Sequence, residues 1–179
     1  ADTYIHTHFN NRALEIMKGS IKTIENSFSH RHFRTFLPDH IYKLADHQKK
    51  MGDLKEAYFN YRKLHIKYPN HERTPDAEAA MKNILLYQGL LETPLTLSEH
   101  TERIEKLFKA VRYKEIIAEV ESIKTSNNPM PGKFYIFLSN AHRGLRDRKT
   151  ANIALKNFVK LYPHHSQIQK VKFNIGRNL

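Results

Sequence analysis

Along almost the whole chain, apolar residues recur at spacings of three and four, which is the period of amphipathic helices, and no stretch alternates as a strand would. Leu14, Met17, Ile21, Ile24 and Phe28 mark a long first helix. Pro38 opens a second, with Ile41, Leu44, Ala45 and Met51 on one side, and Gly52 ends it. Asp53 caps a third, whose stripe of Leu54, Ala57, Tyr58, Tyr61, Leu64 and Tyr68 stops at Pro69. A fourth runs from about Thr74 to Gln88. Residues 89–97 contain Pro94 and no cap before Ser98, which predicts a loop. Ile104, Leu107, Phe108 and Val111 define a fifth helix, and Ile116, Ile117, Val120 and Ile123 a sixth, joined by a tight turn at Arg112-Tyr113. Ser126-Asn127-Asn128-Pro129 ends that pair. A seventh helix is expected over Lys133 to Leu145, an eighth over Lys149 to Tyr162, and a ninth after His165. The fold class predicted is all-α, with about nine helices.

An internal repeat organises these helices. Residues 52–71 and 146–165 align without a gap: Asp53 with Asp147, Ala57 with Ala151, Tyr61 with Leu155, and Tyr68-Pro69 with Tyr162-Pro163. A degraded third copy turns at Val111 and keeps Ile116, Val120 and Ile123 in register. These features resemble the tetratricopeptide repeat, a helix-turn-helix unit of about 34 residues. The physics of such units fits the residues. Small side chains at Ala45, Ala57 and Ala151 let antiparallel helices approach, and Tyr61, Leu64, Leu155 and Phe158 fill the gap to the next pair. The resemblance implies a right-handed superhelix of antiparallel pairs with a concave side. The division expected is a single helical-repeat domain over residues 1–179. It comprises a helix and loop (1–37), a first repeat with a following helix (38–88), a loop (89–97), and a degenerate repeat, a full repeat and the start of another (98–179).

The order of parts carries a narrower resemblance. A repeat ending Tyr68-Pro69-Asn70-His71 leads to Ala77-Glu78-Ala79-Ala80-Met81, then Leu95-Thr96-Leu97-Ser98-Glu99, Leu107-Phe108-Lys109-Ala110-Val111, a full repeat, and Phe173-Asn174-Ile175-Gly176-Arg177. That succession, over residues 38–179, is similar to the N-terminal superhelical region of soluble lytic murein transglycosylases, periplasmic enzymes that cleave peptidoglycan strands. Such enzymes carry their catalytic glutamate in a Glu-Ser motif followed by Gly-Leu-Met-Gln. The single Glu-Ser here, Glu121-Ser122, precedes Ile123-Lys124-Thr125, and no Gly-Leu-Met-Gln occurs. The resemblance therefore implies the noncatalytic scaffold of such an enzyme and a periplasmic location, with the cytoplasm left open, and it assigns no catalytic residue.

Composition changes this picture in three places. The absence of cysteine removes disulfides, thiolate catalysis and sulfur-ligated zinc. The mean hydropathy of −0.65 leaves no uninterrupted membrane-spanning segment. The formal charge of +12 suits an anionic partner. Twelve histidines invite a metal. Yet His6 and His8, His30 and His32, and His164 and His165 stand one or two residues apart, where helical imidazoles diverge. His40 and His47 share a face without a third ligand, whereas zinc needs three or four. No metal, cofactor or catalytic residue is predicted. Glu56 to Lys63 has the spacing of a helix-face near-contact.

The candidate ligand-binding residues are Tyr42, Lys49, Lys50, Lys133, Asn140 and Arg143, placed by register on first helices of the two well-aligned repeats, away from the packing seam. Cations, an amide and an aromatic suit an anionic, hydrogen-bonding strand. Peptidoglycan, or a protein or peptide partner, is expected; nucleic acid ranks behind both, because most aromatics sit at core positions and do not form a stacking platform. The second expected function is a stand-alone adaptor binding a peptide in the groove. Residues 166–179 are expected to self-associate, since the apolar face of a terminal repeat needs a polar cap.

Overall fold

A computed structural model describes residues 2–26, 35–90, 93–124 and 130–177. Among the described residues there are nine helices and no strand. They fall into two compact units, Ala1–Leu95 and Thr96–Leu179, divided within the 89–97 segment. Phe28 and the Ser126–Pro129 stop signal lie outside the described residues.

In the first unit, α1 (Asp2–Asn26), α2 (Leu37–Lys50), α3 (Leu54–Lys67) and α4 (Thr74–Gln88) pack each against the next. Ile21, Ile41, Leu44, Tyr61, Leu64, Met81 and Ile84 form its core, with Ala45 and Ala57 fully buried where α2 crosses α3. Burial of such stripes, rather than propensity, holds short helices together. Lys63 does not meet Glu56. It reaches Glu25 on α1 at 2.5 Å, because the α1 face is closer than the next turn but one of its own helix.

In the second unit, α5 (Leu97–Lys109), α6 (Tyr113–Lys124), α7 (Gly132–Gly144), α8 (Arg148–Leu161) and α9 (Ile168–Arg177) again pack in sequence. Ile104, Leu107, Ile116, Val120, Phe134 and Leu138 form one core, and Leu155, Phe158 and Val171 continue it. The α5 cap is Thr96, two residues earlier than Ser98. Its hydroxyl accepts from Glu99 N–H at 3.2 Å while the Glu99 carboxylate accepts from Thr96 N–H at 2.7 Å, a complete capping box. Between α5 and α6, the half-buried Glu119 accepts from the Arg103 guanidinium at 3.0 Å and lies 2.6 Å from His100 Nδ1. Burial alone would raise its carboxyl, but the His100 hydrogen bond and the Arg103 charge outweigh it and hold the group below its ordinary range. Gly132 lets α7 start against α8: a Cβ there would stand 2.8 Å from the Phe158 ring.

The repeat is visible in backbone geometry. The α2–α3, α5–α6 and α7–α8 turns each place one residue in the left-handed region, Gly52 (φ 82°), Val111 (φ 59°) and Arg146 (φ 64°). Each turn makes the same three bonds, from Met51, Gly52 and Asp53, from Ala110, Val111 and Arg112, and from Leu145, Arg146 and Asp147, back to carbonyls four, three and five residues earlier. The turn from the fifth helix to the sixth falls at Val111, where the degraded repeat copy places it, and not at Arg112-Tyr113, since Tyr113 already opens α6. Asp53 and Asp147 both cap the helix that follows, accepting from Glu56 N–H and Thr150 N–H. Tyr68 (φ −132°, ψ 49°) and Tyr162 (φ −130°, ψ 56°) end α3 and α8 alike. The match runs on into α4 and α9, where Thr74 and Ile168 bond back to His71 and His165, and Ala77 and Val171 to Arg73 and Gln167. Helices α2–α3–α4 and α7–α8–α9 are thus equivalent positions of one pattern.

Candidate functional site

Tyr42, Lys49 and Lys50 belong to the first unit, and Lys133, Asn140 and Arg143 to the second. Lys133 is exposed at the start of α7, with its ammonium 5.2 Å from the adjacent Phe134 ring centroid. Asn140 and Arg143, one turn apart further along α7, line a cleft closed by α8 and α9. Its inner part has about 60 Å³ of space and is lined by the apolar Ile136, Leu155 and Val171 together with Ser139, Gln167 and Lys170. The outer part, about 200 Å³, is lined by Arg143, Arg148, Asn174 and Arg177. Arg143 and Asn174 border both spaces, which are therefore neighbours. No Asp or Glu is among these residues.

Three elements bring the cations together. Arg143 lies in the last turn of α7, Arg148 opens α8 beside its Asp147 cap, and Arg177 ends α9 with its guanidinium 5.9 Å from the Phe173 ring centroid. The Asp147 carboxylate is occupied with the Thr150 N–H, and it sits 3.3 Å from His142. The Thr150 bonds hold its pKa below the ordinary value.

The equivalent positions of the first unit have opposite electrostatics. Asp46 stands where Asn140 does, Asp76 where Lys170 does, Leu54 where Arg148 does, and Ala80 and Asn83 where Asn174 and Arg177 do. Lys50 is paired with Asp46 at 2.7 Å, and Arg73 lies 3.6 Å from Asp76 and over the Tyr42 ring at 5.5 Å. Tyr42 is half-buried against the core, 5.7 Å from the Tyr61 ring. Burial, then the Asp76 and Asp46 carboxylates, push its hydroxyl pKa up. Tyr42 is therefore a packed ring under an arginine, Lys50 is neutralised, and Lys49 is exposed beside them. Among the described residues, carboxylates therefore stand at this position in the first unit, with Lys49 unpaired beside them, and none lines it in the second.

Arg148, Lys170, Asn174, Arg177 and Ser139 were not apparent from register alone, because the cleft exists only once α9 packs on α8. One signal for them is present: Asn-x-x-Arg occurs at 140–143 and again at 174–177, about one repeat length apart.

A further cavity, about 270 Å³ within the first unit, is lined by Arg62, His65, Glu78, Met81, Lys82, Leu85 and Leu95. Its polar groups are engaged in structure. His65 and Glu78 meet at 2.7 Å, and the buried Arg62 donates to the Thr93 and Pro94 carbonyls at 2.6 and 3.0 Å, fastening that segment to α3. Among the described residues no three His, Asp or Glu side chains converge as metal ligands would, and no helix is long and apolar enough to cross a membrane. His40 Nδ1 lies 2.8 Å from the Phe36 carbonyl, and His47 Nε2 is buried without a partner. No known protein family matches the chain, and no curated protein does.

Proposed function

We propose that the chain is a noncatalytic helical-repeat scaffold that holds an anionic strand in the α7–α8–α9 cleft, in the manner of the superhelical portion of periplasmic lytic murein transglycosylases, with peptidoglycan as the strand. The observation that carries this reading is the contrast between equivalent positions. Arg143, Arg148 and Arg177 line one space without a carboxylate, whereas in the first unit Leu54 and Asn83 stand where Arg148 and Arg177 do, and Asp46 and Asp76, at the positions of Asn140 and Lys170, pair with Lys50 and Arg73. Clustered like charges repel, and an anionic partner offsets that repulsion. Asn140, Asn174 and Gln167 add amides that suit a hydrogen-bonding glycan or peptide stem. The repeat itself is taken to be a segment of a right-handed tetratricopeptide-like superhelix.

Sedimentation with purified peptidoglycan sacculi tests the reading. Binding should weaken as salt is raised, since surface charges are screened beyond about 8 Å at physiological ionic strength. A chain that stays in the supernatant at low salt contradicts the proposal. The adaptor reading, a stand-alone repeat binding a protein, is favoured by one observation. Leu86, Tyr87 and Leu90, near the end of α4, are 82%, 84% and 56% exposed, an apolar cluster of the kind that marks protein contacts.

A further inference from the structure

Ser139 lies in the inner part of the α7–α8–α9 cleft, and its Oγ is buried without any hydrogen-bond partner, the residue being 1% exposed. That is an uncommon state. Buried hydroxyls nearly always find a partner, and a helical serine can bond back to the carbonyl four residues earlier. Its equivalent in the first unit is Ala45, which is also fully buried. Packing at this crossing therefore asks for a small side chain and not for a hydroxyl. Ser139 shares the lining of this space with the apolar Ile136, Leu155 and Val171, and Arg143 and Asn174, which also line it, border the neighbouring space of Arg148 and Arg177.

We propose that this cleft binds a phosphomonoester carried on a short hydroxylated carbon skeleton, of the glycerol phosphate or sugar phosphate type. The phosphoryl group occupies the outer part, and the skeleton lies over Ile136, Leu155 and Val171 with an oxygen at Ser139. The choice of anion follows from charge and donor number. One guanidinium fork saturates a single carboxylate. A phosphomonoester brings a charge of about −1.5 to −2 and three strong acceptor oxygens, a better match to three guanidiniums and the Asn174 amide. Neither Arg143, Arg148 nor Arg177 is paired with a carboxylate among the described residues, so the forks are available. This goes beyond the strand-binding reading, since it names a phosphoryl group and a small ligand.

The test is isothermal titration of the whole chain with inorganic phosphate, glycerol 3-phosphate and acetate at one fixed ionic strength. Glycerol 3-phosphate should bind more tightly than phosphate, and acetate at least about tenfold more weakly than either, a difference of roughly 1.4 kcal/mol or more. Arg143→Lys keeps the charge but loses the planar fork, and should weaken phosphate binding by about tenfold; Arg177→Lys should do the same. Ser139→Ala should remove the advantage of glycerol 3-phosphate while leaving phosphate binding in place. Lys67→Gln, a charge change on an exposed face of α3, should alter neither. Circular dichroism of each variant checks that the helices are retained. Acetate binding as well as phosphate, or both lysine variants binding phosphate like the parent, would overturn the site. Phosphate binding retained in a chain that ignores sacculi would sink the strand-binding reading alone, and the converse result would sink this one alone.

Discussion

Val111 is a β-branched residue in the left-handed region, at φ 59°, in the turn where the α2–α3 pair has Gly52. Such a backbone conformation costs a non-glycine residue roughly 1–2 kcal/mol, with valine at the upper end. Val111→Gly removes that strain. Against it stands the extra freedom of glycine in the unfolded chain, roughly 0.5–1 kcal/mol. Little packing is lost, because Val111 is 62% exposed. The net expectation is stabilisation by about 1 kcal/mol, equivalent to about 4–8 °C in melting temperature for a unit of this size. Urea denaturation followed by far-ultraviolet circular dichroism reads the change. Ala118→Gly, on an exposed position of α6, serves as the contrast and should destabilise by about 1 kcal/mol. Gly52→Val, the reverse exchange in the first unit, should destabilise by roughly 1–2 kcal/mol. If Val111→Gly destabilises as Ala118→Gly does, the α5–α6 turn does not have the repeat geometry assigned to it.

Ala57→Leu and Ala151→Leu should each destabilise by roughly 1–3 kcal/mol by overpacking fully buried crossings, whereas Ile116→Ala, at the equivalent place in α6, should lose about 2–5 kcal/mol through a cavity; equal melting temperatures would count against the alignment. The folded-state pKa of Glu119 is held below its ordinary value of 4.5, so its contribution is fully present above that pH and is lost as pH falls through the folded-state value. Asp147 shifts in the same direction, and comparing the parent with Glu119→Gln isolates the Glu119 share: the parent should lose more stability than the variant below about pH 4.5, and parallel curves would contradict the Glu119–His100–Arg103 lock. Self-association through residues 166–179, where Phe173 is 66% exposed, should appear as concentration-dependent sedimentation that Phe173→Glu removes; a monomer at every concentration tested would refute it.

Most of the helices were legible because each carries a complete local instruction. Thr74 to Gln88 is flanked by a proline in its first turn and a left-handed Gly89, and α4 has these limits. The gapless alignment of 52–71 with 146–165 reappears as equal cap angles and equal hydrogen bonds, since Asp caps and Tyr-Pro endings are local chemistry. The start of α5 is readable to within two residues: Thr96 and Ser98 both carry hydroxyls able to cap a helix, and Glu99, three residues after Thr96, decides for Thr96. Val111 was not readable as a left-handed turn, because valine disfavours that region and only the tertiary repeat imposes it. Register, which is local, puts Asn140 and Arg143 on the α7 face that borders the cleft. Register does not show that the Tyr42 ring, one position off the seam, is long enough to pack against Tyr61 and the core. Arg148, Asn174, Arg177 and Ser139 come together only through packing between helices that are distant in sequence.

We propose that the cations of the second unit, and not those of the first, form the anion-binding face. Sedimentation with purified sacculi tests it most directly, comparing the parent with Arg143→Glu/Arg177→Glu and with Lys49→Glu/Lys50→Glu. The charge change is the same in both double variants, so any diffuse attraction falls equally. The Arg143/Arg177 variant should lose binding well beyond the Lys49/Lys50 variant. Equal losses, or a larger loss from the Lys49/Lys50 variant, would contradict it.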